Sequence, residues 1–517
     1  MKIGSRVALS IVACGMLCEG QTYNDWNQAP NGFQGGDTVN ISFQDDPTKP
    51  AQTQPILTSN LTLANGTLTA TVNIASSKST CGIVACLSGQ TTFGSTGASL
   101  IFNVTGGTLP SNPSAFDIRN GGSLTVDANI KVSGTIPTRI FNAAGNGNLT
   151  FNGNVELSGA GTAIAMNGGS LNINQAGGKK VDIAGDINAS GGSTTIKLDA
   201  QDKITGTFNG TNNSNLDLTI NNSTYTGNVT NNGTSKITIQ NNGSLAGSLS
   251  TSGTSLSLTM DNGSITQGVS STATTNTVTM IGSTINGTST FSGNSLTINT
   301  SKQANFQGSL TSTATTNDLK LLGTAVSGDL TLKGNANKLI VNGSTLSKQL
   351  IIGNSNTSTN TINTESSAKI NGGIQAQGNT TLTMNSGTIS GTSTISGQKF
   401  TATLNNSNGK TSTIETITSS ATTNTLTLSD ASQITNGINT NSPASTVTIT
   451  LSGTSKINGT SNLHATTTNH ITMQDTSSGG TFNLHGPSNT LTASGTDNTL
   501  TGLTMQGTNG GKQALMI

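Results

Sequence analysis

A five-residue pattern that returns about every 22 residues constrains this chain more than any other feature in it. The pattern is a small polar residue (often Asn), any residue, an aliphatic, a polar residue and a second aliphatic. Clear copies are Asn276-Thr277-Val278-Thr279-Met280, Asn294-Ser295-Leu296-Thr297-Ile298 and Asn424-Thr425-Leu426-Thr427-Leu428. Its first apolar position runs through Leu100, Leu124, Leu149, Leu171, Ile196, Leu216, Ile237, Leu256, Val278 and Leu296. It continues through Leu319, Leu339, Ile362, Leu382, Phe400, Leu426, Val447, Ile471 and Leu491. Steps of about 18 to 26 residues fall in the range of solenoid coils. Period-two alternation inside each copy is that of a strand, with aliphatics facing one way and Thr the other.

A second motif, Gly-Ser/Thr-x-aliphatic-x-Gly, follows the first by about seven to ten residues. Gly282-Ser283-Thr284-Ile285-Asn286-Gly287 and Gly323-Thr324-Ala325-Val326-Ser327-Gly328 are examples. A third, weaker apolar residue comes shortly after, as at Phe291, Leu330, Ile374 and Ile438. Three short strands joined by Gly and Asn turns make one coil of a triangular parallel β-helix. No Pro lies between Pro137 and Pro443, so stacked strands keep their backbone donors. The sequence therefore predicts an all-β, right-handed parallel β-helix of about 19 coils with roughly 22 residues per coil. Asn276, Asn294, Asn317, Asn337, Asn424, Asn469 and Asn489 are expected to align at one corner and to hydrogen-bond along a ladder.

Composition alone would allow a disordered chain: 8% of residues are charged and 3% aromatic. Disorder, however, requires no aliphatic held in phase over so many coils. The 22 basic and 21 acidic residues balance to a net charge of +1. With no basic surplus to neutralise phosphates, a nucleic-acid partner is not expected. Residues 21–95 fit the repeat less well and contain Trp26 and Asp45-Asp46. They are expected to form an N-terminal cap over the open end of the solenoid, with the β-helix itself over 96–517.

Residues 1–20 read as a signal peptide. Lys2 and Arg6 precede an apolar run from Val7 to Leu17, too short to span a bilayer, and Gly20 offers a small residue for cleavage. Ile11-Val12-Ala13-Cys14 also resembles a lipobox, which would make Cys14 a lipidated N-terminus. Beyond the signal only Cys81 and Cys86 remain. Their short spacing suits a local disulfide in an oxidising compartment, with two free thiols as the other reading.

No residue set points to catalysis, a cofactor or a metal. His464, His470 and His485 cluster in sequence, and Asn462-Leu463-His464 and Asn483-Leu484-His485 lie one coil apart. Without an acid or Cys beside them they read as repeated surface residues of a duplicated coil. Carbohydrate-cleaving β-helices group their acids on one face. Here Glu156, Asp217, Asp318, Glu365 and Glu415 are scattered singly. Thr277/Thr279, Thr425/Thr427, Thr446/Thr448 and Thr490/Thr492 form outward Thr-x-Thr pairs. Such pairs raise ice binding, but Asp318/Lys320 and Asn215/Asp217 break that face, and Thr suits exposed strand positions on β-propensity alone.

An export signal followed by Asn/Thr/Ser/Gly-rich coils with few cysteines resembles the passenger domain of a bacterial autotransporter (type V secretion). Among these the texture is most similar to adhesins and vacuolating-cytotoxin-like outer-membrane proteins. The resemblance implies an exported, non-catalytic passenger at the cell surface, outer membrane or outside the cell. It implies binding to host cells or extracellular matrix, or self-association. It also implies an outer-membrane translocator barrel, in a longer gene product or a separate partner. The final residues, Gly511-Lys512-Gln513-Ala514-Leu515-Met516-Ile517, do not carry the alternating strands and aromatic girdle of such a barrel, so a truncated gene product is expected. The other readings are a secreted polysaccharide-acting β-helix enzyme and an inert spacer rod.

Overall fold

A computed structural model describes residues 21–29, 33–44, 56–63, 65–76, 82–106, 114–136, 138–407, 409–441, 444–508 and 510–517. The expected signal peptide, the lipobox Cys14 and Cys81 lie outside the described residues. Among the described residues the regular elements are β-strands, apart from the 3-10 turn Trp26–Gln28. They form a parallel β-solenoid of about 19 turns with about 21 residues per turn, as the repeat predicts. Among the described residues no helix is long and apolar enough to cross a membrane. The chain divides into two compact units, Met1–Ile164 and Ala165–Ile517.

In the first unit Thr38–Gln44, Gly66–Ser76, Ala98–Gly106 and Asn129–Thr135 pair in parallel, one above the next. Leu68, Leu100 and Ile130 stand in one inward row. Gln90–Phe93, Ser123–Val126 and Asn148–Phe151 form a separate ladder. Leu100 therefore belongs to a different sheet from Leu124 and Leu149, although the sequence pattern joins all three. Aromatic rings fill this core: Phe102 meets Phe116 edge-on at 5.1 Å, Phe116 stacks on Phe141 at 4.7 Å, and Phe141 meets Phe151 at 5.2 Å. Buried Trp26 lies 6.3 Å from Phe102 and 6.5 Å from Phe33. Such rings supply much of the apolar area that a thin core must bury. Cys86 is disulfide-bonded.

In the second unit many coils have one long strand and two short ones, for example Thr275–Ile281, Thr284–Ile285 and Ser289–Phe291, and toward the end the short pair fuses into one strand, as in Gly387–Ser396 and Lys456–His464. The long strands stack in parallel from Ser170–Ile173 to Gln513–Met516. One inward row runs unbroken through Ile196, Leu218, Ile237, Leu258, Val278, Ile298 and Leu319. It continues through Leu339, Ile362, Leu382, Ala402, Leu426, Ile449, Ile471 and Leu491. The pattern-based row departs from it at Leu216, Leu256, Leu296, Phe400 and Val447, which sit two residues earlier. Inward positions recur every second residue, so a slip of two leaves the alternation intact and is invisible to pattern.

That earlier row is where the buried Asn276, Asn317, Asn337, Asn360, Asn424, Asn469 and Asn489 stand. Asn317 Nδ2 donates to Asn337 Oδ1 at 2.7 Å, and Asn337 Nδ2 donates to Asn360 Oδ1 at 2.9 Å. Further on, Asn469 Nδ2 donates to Asn489 Oδ1 at 2.7 Å. The expected ladder thus exists in pieces. Asn294 lies outside it, its place taken by Leu296 between Asn276 and Asn317. Asn424 stands alone between Phe400 and Val447.

Coil length changes at the corners, both before the long strand, as between Ile352 and Thr359, and after it. Asn262, Gly282, Gly323 and Gly343 each turn the second of these with one left-handed residue, at φ 53, 55, 57 and 57°. Lys302 and Gln303 turn it with two, at φ 54 and 63°, and the coil gains a residue. Insertions are absorbed at the corner, so the strands keep their register.

Candidate functional site

The long strands of the second unit turn their polar positions outward, and two central rows run side by side along them. From Thr381 to Thr490 the first row is Thr381, Thr401, Thr425, Thr448, His470 and Thr490. The second is Thr383, Thr403, Thr427, Thr450, Thr472 and Thr492. All but the more exposed Thr381 are half-buried, as expected for side chains flanked by a coil above and below. Neither row carries an Asp, Glu, Lys or Arg over these six coils. His470 alone interrupts the threonines, its Nε2 lying 3.2 Å from Thr472 Oγ1. Of the pairs read from sequence, Thr277/Thr279, Thr425/Thr427 and Thr490/Thr492 fall in these rows. Thr446 belongs one row earlier, paired with Thr423, so the pair in register is Thr448/Thr450.

Nearer the start of the unit the same rows are charged. Asp217 accepts from Lys236 Nζ at 2.9 Å, and Lys338 Nζ lies 3.5 Å from Asp318. These exposed cross-coil pairs are worth little in stability. Between the two pairs the rows hold Ser257/Thr259, Thr277/Thr279 and Thr297/Asn299, and after Lys338 they carry no further charge through Thr490 and Thr492.

The scattered acids are engaged singly, each by a neighbouring coil. In the first unit Glu156 pairs with Lys131. In the second, Glu365 accepts from Asn342 Nδ2 at 3.0 Å and Glu415 from the Gly391 N–H at 2.6 Å. Sequence reasoning missed one close pair of acids, Asp199 and Asp202, at the turn after Ser193–Leu198. Asp202 accepts the N–H groups of Val181 at 2.9 Å and Asp199 at 2.7 Å. Asp199 accepts the N–H of Gly178 at 2.9 Å and Asn221 Nδ2 at 3.2 Å. The Gly178 N–H in first place holds the Asp199 carboxyl below its usual range, whereas burial pushes Asp202 up. Their oxygens are used in fixing turns; the signal available was a DAQD segment closing a strand, an Asx-turn pattern.

On another face, His464 and His485 close the strands Lys456–His464 and Ser478–His485 in direct register. Their rings lie 4.5 Å apart, tilted by 31°. Both side chains are half-buried. Burial first, and the neighbouring His485 second, hold His464 below the ordinary histidine value. His470, close in sequence, stands on the threonine face and does not join them. Among the described residues no group of three or more His, Cys, Asp or Glu gathers as a metal shell.

No protein-family model, no curated protein and no solved structure matches the chain significantly. The reading of function therefore rests on the repeat, the coil and its faces.

Proposed function

We propose that the protein is an exported passenger of adhesin type, which binds host or neighbouring-cell surfaces through the side of its β-helix and performs no catalysis. The observation that carries this reading is the uncharged double row from Thr381 to Thr492. A face of half-exposed hydroxyls at regular strand spacing offers many weak, equivalent hydrogen-bonding positions. Repeated along several coils, such contacts add by avidity rather than through one pocket. The export signal, the low charge and the resemblance to autotransporter passengers support placing that face outside the cell.

The test is binding of the purified full chain to cultured epithelial cells, to matrix-coated wells and to the producing cells. Saturable binding that falls in a Thr427→Lys/Thr450→Lys double variant, with dichroism unchanged, supports the reading. Binding to none of the three surfaces, or binding unaltered by the double substitution, overturns it in favour of a spacer. Release of sugars from a polysaccharide panel would favour the enzymatic alternative.

A further inference from the structure

We infer that His464 and His485 form a two-imidazole site for a divalent transition-metal ion, Cu2+ foremost. The ion would take one nitrogen from each ring and water on its remaining positions.

The backbone brings the two rings together and holds them. The strands align Asn462 with Asn483 as well as His464 with His485. Asn483 Nδ2 donates to Asn462 Oδ1 at 2.9 Å, and Asn462 Nδ2 donates to Asn439 Oδ1 at 3.0 Å, so three coils are tied two residues from the imidazoles. The His464 N–H donates to Thr440 Oγ1 at 2.7 Å. The His485 carbonyl accepts the Ala465 N–H at 2.9 Å and Asn469 Nδ2 at 3.1 Å. Neither backbone can drift, which limits the rings to side-chain rotation.

Stacked coils lie about 4.8 Å apart. Metal–imidazole bonds of about 2.0–2.1 Å at a right angle require the two nitrogens to approach to roughly 3 Å. Centroids 4.5 Å apart put both rings within reach of one ion, and rotation about the side-chain bonds, which opens the 31° tilt, turns one nitrogen of each toward it. Two cis nitrogens with open water positions suit a tetragonal ion, and the order of divalent affinities puts Cu2+ first for imidazole. In the coil that follows His485 the row continues with a neutral side chain, Gln506, so no cation stands beside the site there. The neutral imidazole is the ligand form.

The experiment titrates the untagged full-length chain with Cu2+ alone at pH 7.5 and counts coordinated imidazoles by the nitrogen couplings in electron paramagnetic resonance. The expected result is one bound ion coupled to two imidazoles. Replacing either ring, as His464→Gln or His485→Gln, should reduce the coupling to one imidazole and weaken binding about tenfold or more, the least expected when a ligand is lost. His470→Gln should change neither quantity. Because both rings are half-exposed at strand ends, the variants should keep the wild-type dichroism. A wild-type spectrum with one imidazole or none, or an affinity unchanged in both variants, overturns the assignment.

Discussion

Ser419 Oγ donates to Asn424 Oδ1 at 2.5 Å across a corner only five residues long. Asn424 Nδ2 donates in turn to the Ala421 carbonyl at 2.9 Å, and the Ala421 N–H donates to Ser419 Oγ at 3.2 Å. The loop closes on itself, and both the oxygen and the nitrogen of the buried amide are bonded within it. The same arrangement recurs at Ser312 and Asn317, again at 2.5 Å. Where the amide position holds Leu296, the residue five before it is Phe291 instead. Other corners mix the two, with Leu332 before Asn337 and Thr251 before Leu256.

That pairing predicts a strong coupling. Asn424→Leu alone should destabilise the surrounding coils by about 1–3 kcal/mol, because Ser419 Oγ and the Ala421 carbonyl lose partners in a dry corner. Ser419→Ala alone should cost about as much. The double variant should cost clearly less than the sum, since replacing both polar partners by apolar groups removes the orphaned atoms. A double-mutant cycle by native-state hydrogen exchange measures the coupling, and strict additivity would contradict the closed loop.

Much of the fold was legible because a solenoid writes its core as a period. Thr-Val-Thr-Met at 277–280 shows which side faces inward, and Gly282 marks where the strand ends. The exact register was not legible, since Leu296 and Ile298 both point inward and only pairing decides which one continues the row from Val278. The Asn ladder was legible as recurrence, but Asn294 was misplaced because a residue outside a strand cannot be told from one inside it by spacing. Of the candidate site, the threonine rows were visible as Thr-x-Thr. Their uncharged stretch was not, because it depends on which coils adjoin. The contact between His464 and His485 followed from equal spacing, whereas Asp199 and Asp202 carried no repeat signal.

Gly227 illustrates a corner that no other residue can turn. Its φ is 141°, and a Cβ built there would lie 2.1 Å from the carbonyl oxygen of Gly206, the equivalent glycine one coil earlier. Gly247, one coil later, stands in the same relation to Gly227: a Cβ built there would lie 2.0 Å from the Gly227 carbonyl oxygen. Gly227→Ala should therefore cost on the order of 2–4 kcal/mol through strain and displaced backbone. Gly161→Ala, where a Cβ would meet nothing within 4 Å, should stay within about 0.5 kcal/mol. Chemical denaturation of the two variants checks the contrast; equal losses would remove the corner argument.

Asp199 sets an acid limit on the first coils of the second unit. The Gly178 N–H foremost, then Asn221 and the charge of Lys197, hold its folded carboxyl below the usual value, against the opposing effect of burial. The unfolded chain therefore takes up this proton first as pH falls. The stabilisation is fully present above the unfolded value of about 3.9 and is lost as pH drops through the folded one. Asp199→Asn should lower stability at pH 6, and the gap to wild type should close at pH 2 to 3. A gap that persisted unchanged in acid would show that the carboxylate charge contributes nothing there.

Leu426 tests the inside of the coil. Its side chain is 1% exposed, in register with Ala402 in the coil before and Ile449 in the coil after. Leu426→Asp places a carboxylate where every neighbour in the row is aliphatic, at a cost of roughly 3–5 kcal/mol unless the coil opens to water. Coils exchange contacts almost wholly with their immediate neighbours, so the damage should stay local. Limited proteolysis should nick the chain near residues 400–450 and leave fragments that retain β dichroism. Leu319→Asp, fully buried between Ile298 and Leu339, should move the nick to about 300–340. Thr427→Lys, one residue from Leu426 but on the outward row, should leave the protease pattern unchanged, because a lysine there keeps its ammonium in water. If both Asp variants resisted protease as well as wild type, or if Thr427→Lys opened the chain as readily, the inward and outward rows would have to be exchanged.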